Sequence, residues 1–247
     1  ARQIWMTAPL NNVICMKWGD KYSADYVNIL FNMVSRNLSI PFRFVCFTDD
    51  PKGINEQVEV FDLPSLNLPN NIPERGWLKL TTFSKTLGDL EGKALFLDLD
   101  LIITGSLDEL FEIEGDFLIV KDFIRKDITG NSSVYRFEIG QHEDVIENFK
   151  NNFTDIKNKH RNEQEYLSAF MDKKNQLTYW PEDWCKSFKK HCIHKGFKQF
   201  FYPPELPENT RIVIFHGKPN PPEAIAGKSG KWYRKVLPTP WVKDFWR

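Results

Sequence analysis

The sequence predicts a single α/β domain built on a mostly parallel central sheet. Short apolar segments bounded by turn residues, typical of buried strands, alternate along the chain with segments whose apolar residues recur at helical spacing. The composition is that of a globular domain, since the 247 residues include 33 basic and 33 acidic ones and 41% are hydrophobic. A chain of this length can bury a sizeable core without disulfides or metal staples.

The first elements form a β-α-β unit. Asn11–Lys17 and Arg43–Thr48 are predicted as buried strands. Between them, Ser23 can cap a helix whose apolar positions are Tyr26, Val27, Leu30, Phe31 and Val34. Residues 57–61 predict a further short strand, and a helical stretch follows from about Trp77 to Leu87.

The alternation continues to the end of the domain. Strands are predicted at residues 94–98, 117–120, 134–137 and 211–215, and helices at 143–151 and 163–171. Such sheets bind ligands outside the carboxyl ends of their strands. We therefore expect functional groups just past the strand ends.

Charge is unevenly distributed along the chain. Residues 186–247 carry 13 basic and 4 acidic residues, a local charge of 13 − 4 = +9, which residues 1–185 balance with −9. A basic segment suits an anionic ligand, membrane face or nucleic acid, but the balance of the rest argues against a dedicated nucleic-acid binder. We divide the chain into a domain at 1–230 and a basic aromatic tail at 231–247, which either touches an anionic membrane or packs onto the domain.

The cysteines indicate no disulfide framework. Cys15 and Cys46 lie inside apolar segments, where cysteine behaves as a small hydrophobe. A second group suggests zinc as an alternative but lacks the close cysteine pair of structural sites: Cys185, His191, Cys192 and His194. Because no apolar run is long enough to span a bilayer and the first residues open no signal peptide, we expect a cytoplasmic protein.

The strongest candidate for chemistry is a pair of aspartates among apolar residues, in Phe96-Leu97-Asp98-Leu99-Asp100-Leu101-Ile102-Ile103. An Asp-x-Asp pattern is expected by chance roughly once in a chain of this composition, so its apolar setting matters more than the pattern. Two desolvated carboxylates repel each other unless a cation compensates, and such a pair suits Mg²⁺ or Mn²⁺ carrying a diphosphate. The alternative is a capping or salt-bridged pair at a loop.

Together with Ser106-Leu107-Asp108-Glu109-Leu110-Phe111, this segment resembles the D-x-D strand and following helix of the GT-A glycosyltransferases, most closely family 8 and its bacterial relatives. Four further segments occur in the family's order: Val13 to Tyr22, Phe83-Ser84-Lys85, Asn131-Ser132-Ser133-Val134 and Phe215-His216-Gly217-Lys218-Pro219. The resemblance implies a GT-A fold and transfer of a hexose from a UDP-sugar to a glycan or lipid-linked glycan, with retention of configuration, in cell-surface polysaccharide synthesis.

The resemblance also implies a metal site. It assigns Asp98, Asp100 and His216 as ligands of Mn²⁺ or Mg²⁺. His216 follows an apolar strand and is expected at the same sheet edge as Asp100. Taken alone, such a histidine is more often a core or surface residue, although Gly217 and the proline-rich residues after it favour a tight loop at a ligand.

Basic and aromatic residues are implied for the donor nucleotide. Lys218 and Lys85 match residues aimed at the diphosphate, with Lys79 as a competitor for the role of Lys85; any one of these lysines could equally be a solvent-facing charge. Tyr22 matches a position whose ring stacks on uracil, or else it is a core tyrosine. Two residues at predicted strand ends are assigned to donor binding with them, Lys17 and Asp49. Asp49 would contact the base or ribose, or else Asp49-Asp50-Pro51 is simply a turn.

The remaining assignments surround the donor sugar. Asn131 lies where the family has an Asn-Ala-Gly loop, here Asn-Ser-Ser. The resemblance places Gln164 near the anomeric carbon and Glu163 on a donor hydroxyl, with Glu where the family has Asp. Without the family resemblance, Glu163 would be interpreted as an acidic residue in the first turn of a helix, where the helix dipole favours it.

Two alternatives remain open. A phosphatase of the haloacid dehalogenase type would use Asp98 as nucleophile, although the residue two positions after Asp100 is Ile102 where that family has Thr or Val. A non-catalytic nucleotide-sugar or carbohydrate-binding protein would bind the donor without turnover.

Overall fold

The computed structural model describes residues 11–69, 74–228 and 233–247. The strands in these ranges are β1 (Asn11–Lys17), β2 (Arg43–Thr48), β3 (Glu59–Asp62), β4 (Lys93–Leu97), β5 (Leu101–Ile103), β6 (Phe117–Lys121), β7 (Gly130–Glu138), β8 (Leu177–Tyr179), β9 (Cys185–Ser187) and β10 (Ile212–Ile214). The α-helices are α1 (Ala24–Asn37), α2 (Asp108–Glu112), α3 (Glu143–Lys159), α4 (Glu163–Lys173), α5 (Pro221–Ile225) and α6 (Trp241–Phe245). Arg75–Phe83 and Gly196–Phe200 are 3-10 helices, and Phe188–Cys192 is a π-helical turn.

Seven strands form the central sheet, in the order β3-β2-β1-β4-β7-β6-β8. Only β7 runs against the others, so the sheet is largely parallel, as the sequence predicts. The carboxyl ends of β1, β2, β4 and β6 therefore share one edge, which also holds the amino end of β7. This arrangement puts residues from five strands beside one another.

A smaller sheet of order β5-β10-β9 adjoins that edge. Strand β10 is antiparallel to β5 and parallel to β9. Asp100 precedes β5, Ser187 ends β9, and His216 lies two residues after β10. The pairing therefore brings these three residues to one end of the small sheet.

The central sheet buries both faces. Val13 and Cys15 of β1 face one core cluster, while Ile14 and Met16 face the other. This alternation follows from the two-residue period of a strand, and burial on both faces is characteristic of parallel sheets. Cys46 lies opposite Cys15, buried as predicted.

Some boundaries differ from the sequence-based prediction. The strand predicted at 57–61 is β3, and α3 extends to Lys159 with a non-helical Asn152 inside it (φ −132°, ψ 25°). The helix predicted from Trp77 to Leu87 is the 3-10 helix that ends at Phe83. Thr81 and Thr82 explain its tightness, because their hydroxyls donate to carbonyl oxygens three residues earlier (2.7 and 2.8 Å).

The described part of the predicted tail, residues 233–247, packs onto the domain. The Trp246 ring lies 5.0 Å from that of Tyr26, and the Arg36 guanidinium donates to the carbonyl oxygens of Phe245 (2.8 Å) and Arg247 (2.7 Å). Residues 231 and 232 of the predicted tail lie outside the described ranges. No helix in those ranges has the length and apolar character needed to cross a bilayer.

Truncation of Trp246 tests this packing. We expect Trp246→Ala to lower the free energy of unfolding by about 3 kcal/mol, because the indole is 8% exposed and fills a core contact. Phe197→Ala is the matched control, since that ring is 85% exposed and its loss should change stability by less than about 0.5 kcal/mol. Urea unfolding measures both, and equal effects would contradict the packed tail.

His142 predicts an acid-sensitive stability. It is 2% exposed, with Nε2 beside the Asp116 carbonyl oxygen (3.3 Å), and burial holds its pKa below the ordinary 6.5. Because the unfolded chain takes up this proton more readily than the folded one, the free energy of unfolding should fall as pH drops below about 6.5. Urea unfolding of His142→Gln between pH 7 and pH 5 should show a shallower dependence than the wild type. An unchanged slope would contradict the assignment.

Candidate active site

A cavity of about 530 Å³ lies at the shared edge of the central sheet. It is lined by residues at or just after the carboxyl ends of β1, β4, β6 and β10, by the start of β7, by the 3-10 helix Arg75–Phe83 and by the first turn of α4. Eight residues predicted for the site line it: Lys17, Tyr22, Asp98, Asp100, Asn131, Glu163, Gln164 and His216. The fold therefore gathers most of the predicted site into one space.

Three predicted residues do not line the cavity. Asp49 lies next to it, where Oδ2 accepts a hydrogen bond from the Gly19 amide (3.1 Å). The Lys218 side chain is 72% exposed and forms an ion pair with Glu223 (3.4 Å). Lys85 is exposed, and its carbonyl oxygen lies beside Gly140, near the opposite edge of the sheet.

The position of Lys85 corrects the prediction that it lies on the helix before the D-x-D strand. The helix ends at Phe83, and the chain must then reach the amino end of β4 at Lys93, on the far edge from the cavity. The competing residue, Lys79, lies on the helix itself and lines the cavity. The local sequence does not show which of the two lysines lines the cavity, because that depends on the residue at which the helix ends.

Lys79 holds the first aspartate. Its Nζ is 2.7 Å from Asp98 Oδ1 and donates to the carbonyl oxygen (3.1 Å) and hydroxyl (3.3 Å) of Ser132. Burial acts to lower the pKa of Lys79, but the carboxylates of Asp98 and Glu163 outweigh it and raise the pKa above its ordinary value. The buried side chain is therefore an ammonium ion at neutral pH.

Asp100 is held by Tyr22. The phenol donates to Asp100 Oδ2 (2.9 Å), and the carboxylate is almost fully buried. Burial and the charge of Asp100 raise the pKa of Tyr22, so the phenol stays protonated and remains a donor. The Gly217 amide also donates to Oδ2, at a longer 3.4 Å.

His216 is fixed from two sides. Its Nε2 is hydrogen-bonded to Ser187 Oγ (2.7 Å), and the Phe123 ring stacks against the imidazole at 5.9 Å between centroids. Burial, aided by the charge of Lys189, lowers the pKa of His216 to about 4. The imidazole is therefore neutral at physiological pH, which is the form that ligates metals.

Ser132 links the start of β7 to α4. Its hydroxyl donates to Glu163 Oε1 (2.7 Å), and its amide donates to Gln164 Oε1 (3.2 Å). The Asn162 side chain caps α4 by accepting from the Glu165 amide (3.1 Å). Glu163 is 8% exposed, so this network holds a carboxylate in the wall of the cavity.

Within the described ranges, no group of three or more His, Cys, Asp or Glu side chains is arranged to hold a metal ion. Burial raises the pKa of the Cys185 and Cys192 thiols to about 12, and both are buried as small hydrophobic side chains. The three residues predicted to bind Mn²⁺ or Mg²⁺ all line the cavity, but each already contacts another side chain. Asp98 contacts Lys79, Asp100 contacts Tyr22, and His216 contacts Ser187.

Sequence reasoning missed several residues of the cavity. Asp122 follows the apolar strand β6 and carries the same signal as Asp98, a polar residue just past a buried strand. Trp18 lines the cavity after β1, and its position past a strand end could also have identified it. Ser187 does not line the cavity but contacts His216, and it carried no signal, because only the pairing of β9 with β10 brings the two together.

The chain matches no protein-family model and no curated protein. Three solved structures are similar to it: the galactosyltransferase LgtC in complex with donor and acceptor sugar analogs (TM-score 0.60, 14% identity, 85% of this chain and 88% of that one), the glycosyltransferase GlyE of Streptococcus pneumoniae TIGR4 (0.56, 14%, 85% and 56%) and the bifunctional glycosyltransferase WbbM (0.60, 13%, 90% and 48%). These likenesses confirm the predicted GT-A fold.

Proposed function

We propose that the chain is a metal-dependent glycosyltransferase that moves a hexose from a UDP-sugar to a hydroxyl of a glycan or glycolipid, in cell-surface polysaccharide synthesis. One observation carries the proposal: a single cavity at the binding edge of a GT-A fold is lined by eight residues that the family resemblance assigns to donor, metal and sugar. The similarity of the fold to solved glycosyltransferases favours this proposal over the haloacid dehalogenase alternative.

The donor nucleotide is assigned to the end of β1. Tyr22 and Trp18 offer aromatic surfaces for the uracil, and the Tyr22 ring already contacts Tyr26 at 4.8 Å and the Lys21 ammonium at 4.7 Å. Lys17 and Lys21 line the cavity and are assigned to the diphosphate, whose negative charge grows as it leaves. Lys218 can join them only by leaving Glu223, so we give it a secondary role.

Asp98, Asp100 and His216 supply donor types that a divalent cation accepts, although the three side chains are not arranged around one in this structure. Two carboxylates and a neutral imidazole are ligands that Mn²⁺ accepts, and Asp98, Asp100 and His216 would hold it after exchanging some of their present contacts. When bound, the ion would supply positive charge to the departing diphosphate. Mg²⁺ is the second choice, because this hard cation prefers oxygen ligands to the imidazole nitrogen.

The sugar is assigned to the Asn131, Glu163 and Gln164 side of the cavity. The Glu163 carboxylate, oriented by Ser132, accepts a hydrogen bond from a donor hydroxyl. The Gln164 amide lies beside the reacting carbon, with its oxygen turned to the Ser132 amide. Retention of configuration belongs to the proposal through the family resemblance.

A screen of UDP-sugars with Mn²⁺ tests the proposal. We expect one UDP-hexose to release UDP, and this release should be lost with chelator and in Asp100→Asn. Asp155→Asn is the matched control, since this exposed carboxylate on α3 has no role in the assigned site and turnover should persist. Donor binding without turnover would favour the non-catalytic binding protein, and absence of any binding would refute both.

A further inference from the structure

An aromatic protrusion lies on the surface, formed by residues 195–203 and containing the 3-10 helix Gly196–Phe200. Every residue from 195 to 203 is exposed except Gln199, which is half-buried. The exposed fractions of its large side chains are 85% for Phe197, 44% for Phe200, 75% for Phe201 and 56% for Tyr202. Clustered aromatic exposure of this kind marks an interaction surface.

The protrusion has a fixed base. Before it, Cys192 and Ile193 are buried in a core cluster, and after it the Pro204 carbonyl oxygen accepts from the Trp241 indole (2.8 Å). The Gln199 side chain donates to the Gly196 carbonyl oxygen (3.0 Å) and accepts from the Lys235 amide (3.1 Å). The exposed rings are therefore carried on an anchored loop.

The charged residues of the protrusion and of the segment before it are basic, and the nearest acid in the sequence after it, Glu205, lies 3.5 Å from His194. Between Asp183 and Glu205 the sequence has five lysines and no acidic residue: Lys186, Lys189, Lys190, Lys195 and Lys198. Lys195 and Lys198 are exposed and form no ion pair within the described residues. Aromatic rings beside unpaired lysines complement the interface of an anionic bilayer, where rings enter the headgroup region and ammonium groups meet lipid phosphate.

We propose that the aromatic protrusion docks the protein onto an anionic lipid surface, with Phe197 and Phe201 entering the headgroup region and Lys195 and Lys198 contacting lipid headgroups. This surface differs from the tail predicted for that role, because Val242 and Trp246 of the tail are buried against the domain. The π-helical turn before the protrusion carries Lys189, whose Nζ donates to the His216 carbonyl oxygen (2.9 Å). The segment that leads into the protrusion therefore contacts the backbone of His216, a residue that lines the cavity.

The experiment is co-sedimentation with phosphatidylcholine vesicles that contain or lack phosphatidylglycerol. We expect the wild type to bind only the anionic vesicles and to dissociate as KCl rises. The double variant Phe197→Ser/Phe201→Ser should weaken vesicle binding by about tenfold for each ring. Val60→Ser, at an exposed apolar side chain of β3, is the control and should bind as the wild type does.

Two double variants with the same change in net charge distinguish docking through the protrusion from attraction by net charge. Lys195→Glu/Lys198→Glu should lose vesicle binding, whereas Lys150→Glu/Lys159→Glu, which changes net charge equally on exposed positions of α3, should retain it. Hydrogen exchange of the wild type should slow at residues 195–203 when anionic vesicles are added. Thermal unfolding checks that each variant is folded.

Three results would overturn the proposal. One is a wild type that does not bind anionic vesicles, and another is unchanged binding by Phe197→Ser/Phe201→Ser. The third is equal loss in both charge-reversal pairs, which would indicate attraction by net charge alone. None of these outcomes bears on UDP binding, which tests the proposed function separately.

Discussion

Replacing Lys79 with methionine should lower the free energy of unfolding by about 3 kcal/mol. The ammonium of Lys79 is buried 2.7 Å from Asp98 Oδ1, and the charge of Glu163 also acts on it. Its removal leaves the half-buried Asp98 and the buried Glu163 carboxylates without a compensating cation, which costs more than the loss of one surface contact. Urea unfolding at neutral pH measures the change.

Lys85→Met is the matched control, because Lys85 is exposed at the opposite edge of the sheet. We expect a change below about 0.5 kcal/mol there. The double variant Lys79→Met/Asp98→Asn should recover part of the stability, since the neutral amide no longer needs a cation. Equal effects at positions 79 and 85, or no recovery in the double variant, would contradict the role assigned to Lys79.

Replacing Gly76 with alanine should lower donor turnover by about 100-fold with little change in stability. A Cβ at position 76 would lie 2.9 Å from Glu163 Oε2, closer than two such atoms approach. The carboxylate is the far end of a flexible side chain and can swing away, so the fold survives. The displaced carboxylate leaves the Ser132 hydroxyl that orients it (2.7 Å) and no longer meets the donor sugar correctly.

The variant Gly76→Ala/Glu163→Asp provides the decisive comparison. Aspartate is one methylene shorter, so it should restore clearance and recover much of the turnover lost in Gly76→Ala. Gly105→Ala is the control, because its Cβ would meet neighbours only at 3.4 Å and outside the cavity lining. kcat/KM for the donor is the readout, and failure of the shorter acid to rescue would argue against a steric origin.

The fold could be predicted well where one element carries a strong local pattern. β1, α1 and β2 have unbroken apolar or helical periodicity, and their observed limits match the prediction at both strands. Short strands such as β5, β8 and β9 have three residues each and carry no periodic signal. They form because partners from distant parts of the chain pair with them.

The candidate site divides in the same way. Asp98, Asp100 and His216 were predicted to share an edge because each follows an apolar strand or adjoins one, and all three line the cavity. Their hydrogen-bond partners could not be predicted, since Ser187 and His216 meet only through the pairing of β9 with β10. The choice between Lys79 and Lys85 likewise depended on the end of a helix, which threonine side chains fix.

The central claim is a metal-dependent donor site built on Asp98, Asp100 and His216, and calorimetric titration of UDP tests it most directly. The wild type and Asp100→Asn would each be titrated with Mn²⁺ and with chelator, and Asp155→Asn, at an exposed position of α3, serves as the control. We expect UDP to bind the wild type and Asp155→Asn only when Mn²⁺ is present, and binding to be lost in Asp100→Asn. UDP binding that is indifferent to both the metal and Asp100 would contradict the account.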